Sequence, residues 1–291
     1  MTTKLKTEIY LPTLCLLFSA AMWGLIWYPL RLLDEAGMSA VWSLFVMYLS
    51  VVVFSFPLMI KRRLFSQISW ELAGLALAAG ITSVAFLTAL IEGEVMRVML
   101  LFYLSPIWSV LLSRWWLGET LSPKAIVMFC FAVTGSMVML WNPQIGLPWP
   151  SGAGDWLALL GSVAFSFNNV LSRKLGNVSM TLKVGATWWG VLLVSVLVLV
   201  GQQSGVPNVE ASVWGMAATM GIFGMIATNI STLYGLAKMP IHRSAVIMLF
   251  ELVVGAVSAW LLSSEVMTIS EWIGGGLIIL AGYGVAKAEQ T

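Results

Sequence analysis

The sequence predicts an all-α polytopic membrane protein, with ten transmembrane helices arranged as two inverted five-helix repeats around a central cavity. Three observations predict it. Ten apolar stretches are each long enough to cross a bilayer. Lys and Arg collect in alternate connections. The two halves of the chain carry the same pattern at a nearly fixed offset.

Composition sets the class. Hydrophobic residues make up 59% of the 291 positions and charged residues only 10%, with a mean hydropathy of +0.93. A soluble domain carries about 25% charge. No globular core needs this much apolar surface, so lipid must cover the rest. The net charge of +2 comes with no basic patch, which argues against a nucleic-acid partner. Cys15 and Cys130 lie inside apolar runs and read as buried structural thiols, because they fit no disulfide frame or metal spacing.

A spanning helix takes about 20 mostly apolar residues. The ten stretches that qualify are 11–33, 38–60, 70–91, 95–113, 123–141, 155–175, 182–202, 212–236, 243–263 and 270–287. The first follows Lys4 and Lys6 and resembles a signal peptide. However, it runs well past the roughly 7–15 apolar residues of such a segment, and it matches a later stretch. It reads as a retained first helix. Most connections are short. The longest, "NPQIGLPWPSGAG" at 142–154, holds Pro143, Pro148 and Pro150, which break helices by removing a donor and clashing with the preceding turn. It divides the chain into a first five-helix unit (1–141), a Pro/Gly-rich periplasmic linker (142–154) and a second unit (155–291).

Orientation follows from the positive-inside rule. With the N-terminus in the cytoplasm, thirteen of the fifteen Lys and Arg fall inside and only Arg31 and Arg97 outside. Both termini are then cytoplasmic, and the cell (inner) membrane is the expected location.

The halves repeat. "AAMWGLIWYPLRLL" (20–33) lies over "SVAFSFNNVLSRKL" (162–175) at an offset of 142, pairing Trp23 with Phe165, Trp27 with Asn169 and Arg31 with Arg173. "RVMLLFYLSPIWSVLLSRWWLGE" (97–119) lies over "RSAVIMLFELVVGAVSAWLLSSE" (243–265) at an offset of 146. This pairs Arg97 with Arg243, Ser105 with Glu251 and Glu119 with Glu265. An odd number of helices per half makes the halves antiparallel across the membrane, an architecture of secondary transporters with a site near the midplane.

These paired motifs, with "WGLIWYPLR" in the first helix and "FNNVLSRK" in the sixth, resemble the drug/metabolite transporter superfamily in its ten-helix EamA-type branch, including its aromatic and hydrophobic amino acid exporters. The resemblance spans the whole chain. It implies export of small metabolites through a cavity lined mainly by helices 1, 3, 4, 6, 8 and 9. The family's Glu-Pro in the ninth helix is here Glu251-Leu252, which puts a kink at that point in question.

Candidate site residues are the polar groups that lipid would exclude. Glu251 lies eight residues after Arg243, about 12 Å into the bilayer. A mid-membrane carboxylate costs at least about 2.5–3.5 kcal/mol, so it must face the bundle interior. There it could bind a proton or a cationic group, or serve packing as a hydrogen-bonded acid. Asn169 and Asn229 approach the same depth. Asn168 points about 100° away from Asn169. The first half answers with Trp23, Trp27 and Tyr103. The expected substrate-binding set is therefore Glu251, Asn169, Asn229, Trp27, Tyr103 and Trp23, with Glu251 the proton-coupling candidate. An ammonium would pair with Glu251 or lie over a ring by cation–π attraction.

Other features have plainer readings. Trp70, Trp115, Trp116, Trp141, Trp149, Trp188, Trp214 and Trp272 read as interfacial belt residues. Arg97 and Arg243 read as snorkelling cations, Glu119 and Glu265 as turn ties, and His242 as a solvated loop residue. Helix ten offers a small face at Gly274, Ile278 and Gly282. The chain has no HExxH, GxSxG or Walker sequence and no clustered His and Cys. No enzyme activity, metal or cofactor is therefore expected. The expected partners are a small-molecule substrate and the lipid bilayer, with the protein a monomer or a homodimer.

The expected function is export of amino acids or similar small amphiphilic metabolites by alternating access. The alternative is a proton-coupled extruder of cationic drugs or quaternary ammonium compounds. Reporter fusions test the topology: a cytoplasm-active reporter should signal at residue 291 and stay silent in the 142–154 linker. The reverse pattern would invert the predicted orientation.

Overall fold

Without water to satisfy it, a backbone crossing lipid must bond to itself, and helices do so within one segment. The computed structural model describes residues 3–61, 69–92, 95–141, 150, 152–262 and 268–288. Among these every regular element is helical. Most of the 142–154 linker lies outside the described residues, as does Glu265.

Each of the ten apolar stretches has its helical rod. The first is α1 (Thr3–Leu25) and α2 (Trp27–Glu35); the second is α3 (Ala40–Lys61); the third is α4 (Trp70–Glu92). The fourth is α5 (Val95–Phe102) and α6 (Ser105–Leu117), and the fifth is α7 (Pro123–Met139). In the second half come α8 (Ala153–Lys174) and α9 (Met180–Gly201), then α10 (Ala211–Thr219), which continues through a π-helical turn, Met220–Met225, into α11 (Ile226–Lys238). The ninth rod is α12 (Ile241–Met248) and α13 (Phe250–Leu262), and the tenth is α14 (Ile269–Ala288).

Among the described residues, seven rods are long and apolar enough to span by composition alone, and α7 is apolar over 17 residues. Of the two rods left, α14 is also not among the seven, and the polar one, α8, is explained by its surroundings. It packs against α4, α5, α6 and α11 and buries Ser162, Ser166, Asn168, Asn169 and Ser172. A helix sheathed by protein need not be apolar on every face.

Packing repeats the sequence duplication. Exchanging the halves turns α4 against α8 into α11 against α1, and α6 against α8 into α13 against α1. It turns α4 against α9 into the eighth rod against α3, while the α3–α9 and α7–α14 pairs map onto themselves. Single residues obey the same exchange. Ser166 donates to the Ser105 carbonyl at 2.9 Å. At the two sequence offsets its equivalent is Gly24, which lies against the Glu251 carbonyl. Gly80 sits on the Gly190 carbonyl, and Gly221 on that of Met47. Gly221 belongs to the π turn, where Ser50 donates to the Ala218 carbonyl at 3.2 Å. Five rods per half then set the two halves in opposite directions.

The α7–α14 pair depends on reciprocal glycines. A Cβ at Gly135 would lie 2.7 Å from the Gly274 carbonyl oxygen, and Gly274 meets the Gly135 carbonyl in return. Ile278 is buried beside them. Gly282, expected on the same face, meets nothing within 4 Å. Gly274→Leu should therefore lower stability by about 1–3 kcal/mol through overpacking, and Gly282→Ala should leave it unchanged. Thermal unfolding of the detergent-solubilised protein distinguishes the two.

Candidate functional site

Helix breaks place the site. Pro106 lacks an N–H and crowds the carbonyl four residues before it; the fourth rod accordingly stops at Phe102 and restarts at Ser105. The ninth rod has no proline, yet it breaks at Leu249, one offset of 146 from Tyr103. The regular helix is therefore interrupted close to the point that Leu252 left in question. The Leu252 N–H turns to the Leu249 carbonyl at 3.1 Å. Broken spans at matching positions of two halves mark binding sites in inverted-repeat transporters.

Between these breaks lies a cavity lined by Phe102, Tyr103, Ser105, Ser109, Asn169 and Glu251, with Phe165 and Met248 closing it. The Tyr103 hydroxyl donates to Glu251 Oε1, joining the two broken rods. Asn169 is 3% exposed, and its Oδ1 has no partner among the described residues. Asn169, not Asn168, lines the cavity, as the 100° step requires. The space open to water centres is about 20 Å³. One water needs roughly 10–15 Å³ on that measure, so the conformer is contracted and no amino-acid-sized solute fits.

The other predicted residues lie elsewhere. Asn229 donates to the Met225 carbonyl at 2.8 Å and to the Tyr48 hydroxyl at 3.5 Å, across the face α11 shares with α3. Trp27 Nε1 donates to Ser258 Oγ at 2.9 Å, tying α2 to α13. Trp23 stands one layer behind the cavity, packed in one cluster with Phe165, Ile247 and Met248. Glu251, Tyr103 and Asn169 are thus brought together, and Asn229, Trp27 and Trp23 are not among the lining residues. Phe102, Phe165, Ser105 and Ser109 were not selected from sequence. The repeat did hold the signal for two of them, since Ser105 is the counterpart of Glu251 and Phe165 that of Trp23.

The Lys/Arg-rich end is tied together across rods. Arg173 Nε lies 3.3 Å from Glu119 Oε1, and Arg173 Nη1 donates to the Ala237 carbonyl at 2.9 Å. Glu119 Oε2 accepts the Ile241 N–H at 2.9 Å. Four rods, the fourth, sixth, eighth and ninth, meet on this one ion pair. Its repeat counterpart Arg31 bonds within its own helix to Glu35 at 3.1 Å, and both side chains are well exposed. Cys15 and Cys130, expected to be buried, are half-buried and exposed, because Cys130 lies on the outer face of α7. Two other expectations change. His242 is 8% exposed in the first turn of α12 rather than solvated, and Trp188 is 6% exposed inside the bundle rather than at a rim. Arg97 has no described side chain.

Known proteins fit this geometry. The profile of the EamA-like transporter family matches residues 11–141 and 152–286. The chain belongs to the EamA-like transporter family. This EamA-like chain is therefore a multi-pass membrane transporter of small solutes, and its family are transporters rather than enzymes. A solved crystal structure superposes on it with a TM-score of 0.77 at 17% identity, covering 96% of this chain and 97% of that one, which shows a shared fold. No curated protein matches.

Breaking the clasp tests its role in this EamA-like transporter. In a variant lacking Cys15 and Cys130, Ser109→Cys should be shielded from a membrane-impermeant thiol reagent added on the Lys/Arg-rich side. Adding Glu119→Gln should raise its labelling rate several-fold. An unchanged rate would show that the ion pair does not control access.

Proposed function

We propose that this chain is an inner-membrane secondary transporter that exports amino acids or related small amphiphilic metabolites by alternating access. The units 1–141 and 155–291, joined by the periplasmic linker 142–154, rock about a fixed site. The observation that carries the reading is the Tyr103–Glu251 hydrogen bond at the meeting of two broken rods, beside the unsatisfied Asn169 carbonyl.

In this reading the substrate ammonium displaces the Tyr103 hydroxyl at Glu251 and takes Asn169 Oδ1 as a second acceptor. A cation over the Phe102 or Phe165 ring gains about 0.5–2 kcal/mol. The Ser105 and Ser109 hydroxyls and the Asn169 amide N–H are donors suited to a carboxylate. The aromatic walls suit an apolar side chain. Opening requires the fourth and ninth rods to part, because the contracted space is too small. Release to the Lys/Arg-rich side requires the Arg173–Glu119 clasp to break. The substrate gradient, or protons exchanging at Glu251, supplies the energy. Both termini lie in the cytoplasm.

A second reading has its own support. Carboxylate, amide oxygen and facing rings also form a cation receptor, as an extruder of cationic drugs or quaternary ammonium compounds needs. Efflux from loaded proteoliposomes separates the two. Glu251→Gln should lower transport by roughly tenfold to a hundredfold, the cost of losing a charged hydrogen-bond acceptor, and should flatten the pH response. Tyr103→Phe should weaken transport less. Efflux of zwitterions but not lipophilic cations supports the first reading, and the opposite supports the second. Wild-type efflux and pH response in Glu251→Gln would remove the residue from the mechanism.

A further inference from the structure

A second cavity lies well apart from Glu251, at the Lys/Arg-rich end between α7, α12 and α14. Ser122, Lys124, Ala125, Met128, His242, Arg243 and Gly284 line it, with about 40 Å³ open to water centres. Two cations from different halves of the chain, Lys124 and Arg243, line one cleft. Two helices also begin there. Ser122 caps α7 by accepting the Ala125 N–H at 3.2 Å, and His242 and Arg243 sit in the first turn of α12. Helix starts carry partial positive charge and favour anions.

His242 supplies the independent sign that something binds. Its side chain is 8% exposed, yet Nδ1 has no hydrogen-bond partner among the described residues. A buried polar atom left without a partner costs about 1–3 kcal/mol, so an occupant of the cleft offers a gain. The nearby Glu119 is negative, but its charge is offset by its ion-pair partner Arg173, which leaves Lys124 and Arg243 as the net charge at the cleft. The surroundings suit a lipid. Outside the cleft α7 exposes Ile126, Val127 and Phe131, and α14 exposes Ile279, Leu280 and Tyr283, apolar faces fit for acyl chains. Basic pockets between spans on the cytoplasmic side are where anionic headgroups bind.

We infer that this cleft binds a phosphate-bearing anion, with the headgroup of an anionic phospholipid as its source. Lys124 and Arg243 neutralise the charge, and His242 Nδ1–H donates to a phosphate oxygen. The site joins the start of α12, and so the rod that carries Glu251, to the peripheral α7–α14 pair.

Thermal unfolding of the delipidated full chain tests this, with three additions: phosphatidylglycerol, phosphatidylcholine and glycerol phosphate. Phosphatidylglycerol should stabilise at a concentration about tenfold below phosphatidylcholine. Lys124→Gln, an exposed change with little risk to folding, and His242→Gln should each erase most of that preference. Arg114→Gln, an exposed cation elsewhere, should keep it. Stabilisation by phosphatidylglycerol alone assigns the lipid headgroup, and equal stabilisation by glycerol phosphate assigns a soluble phosphate at the same site. No preference in the wild type, or an equal loss in Arg114→Gln, would overturn the site. Neither readout involves transport, so failure of the export reading would leave this one standing.

Discussion

A carboxylate inside a bilayer needs a partner, and the arrangement of this transporter turns on how Glu251 finds one. Its partner is Tyr103, from the other half of the chain. The two meet because both parent rods break at equivalent positions, Tyr103–Leu104 and Leu249. An unbroken helix spends its carbonyls and N–H groups on itself. At these breaks the backbone N–H groups of Tyr103, Leu104, Leu249 and Leu252 still bond within their own rods, and the polar groups that face the interior are the Tyr103 and Glu251 side chains, where lipid cannot reach them and a solute can. The polar cluster therefore sits where the two halves touch, and relative motion of the halves must reshape it.

The rest of the bundle keeps that junction in register. Small-residue contacts, reciprocal at α7–α14 and α4–α9 and one-sided where Gly221 of the eighth rod meets α3, bring backbones close. Lipid tails are as apolar as leucine, so close van der Waals packing and interhelical hydrogen bonds hold spans together in a membrane. The Ser166–Ser105 bond and the Gly24–Glu251 approach place the inner rods α8 and α1 against the broken ones. Where α8 is covered by protein it carries serines and asparagines, a composition that hydropathy alone reads as a poor span.

The two ends of the bundle are not equivalent. At the Lys/Arg-rich end Arg173 and Glu119 draw four rods onto one ion pair. Arg31, the counterpart of Arg173, engages Glu35 in its own helix. A half-buried pair that also caps a helix holds far better than an exposed i,i+4 pair, worth about 0.3–0.5 kcal/mol. The contracted cavity and the tied Lys/Arg-rich end describe one state of a device that needs at least two.

The sequence by itself determined the number of rods, the repeat and its two offsets, and the presence of Glu251, because lipid imposes a length and an apolarity that no tertiary contact can relax. Those offsets also identified Ser105 as the structural counterpart of Glu251 and Phe165 as that of Trp23. The sequence could not decide which polar residues share a cavity. Depth along a helix is linear in residue number, but facing depends on rotation, and rotation is set by packing. Asn229 has the right depth but turns its amide to Met225 and Tyr48, whereas Asn169 turns inward. The break at Leu249 was equally illegible. No proline marks it, and only the tertiary structure shows it, at the position equivalent to Tyr103.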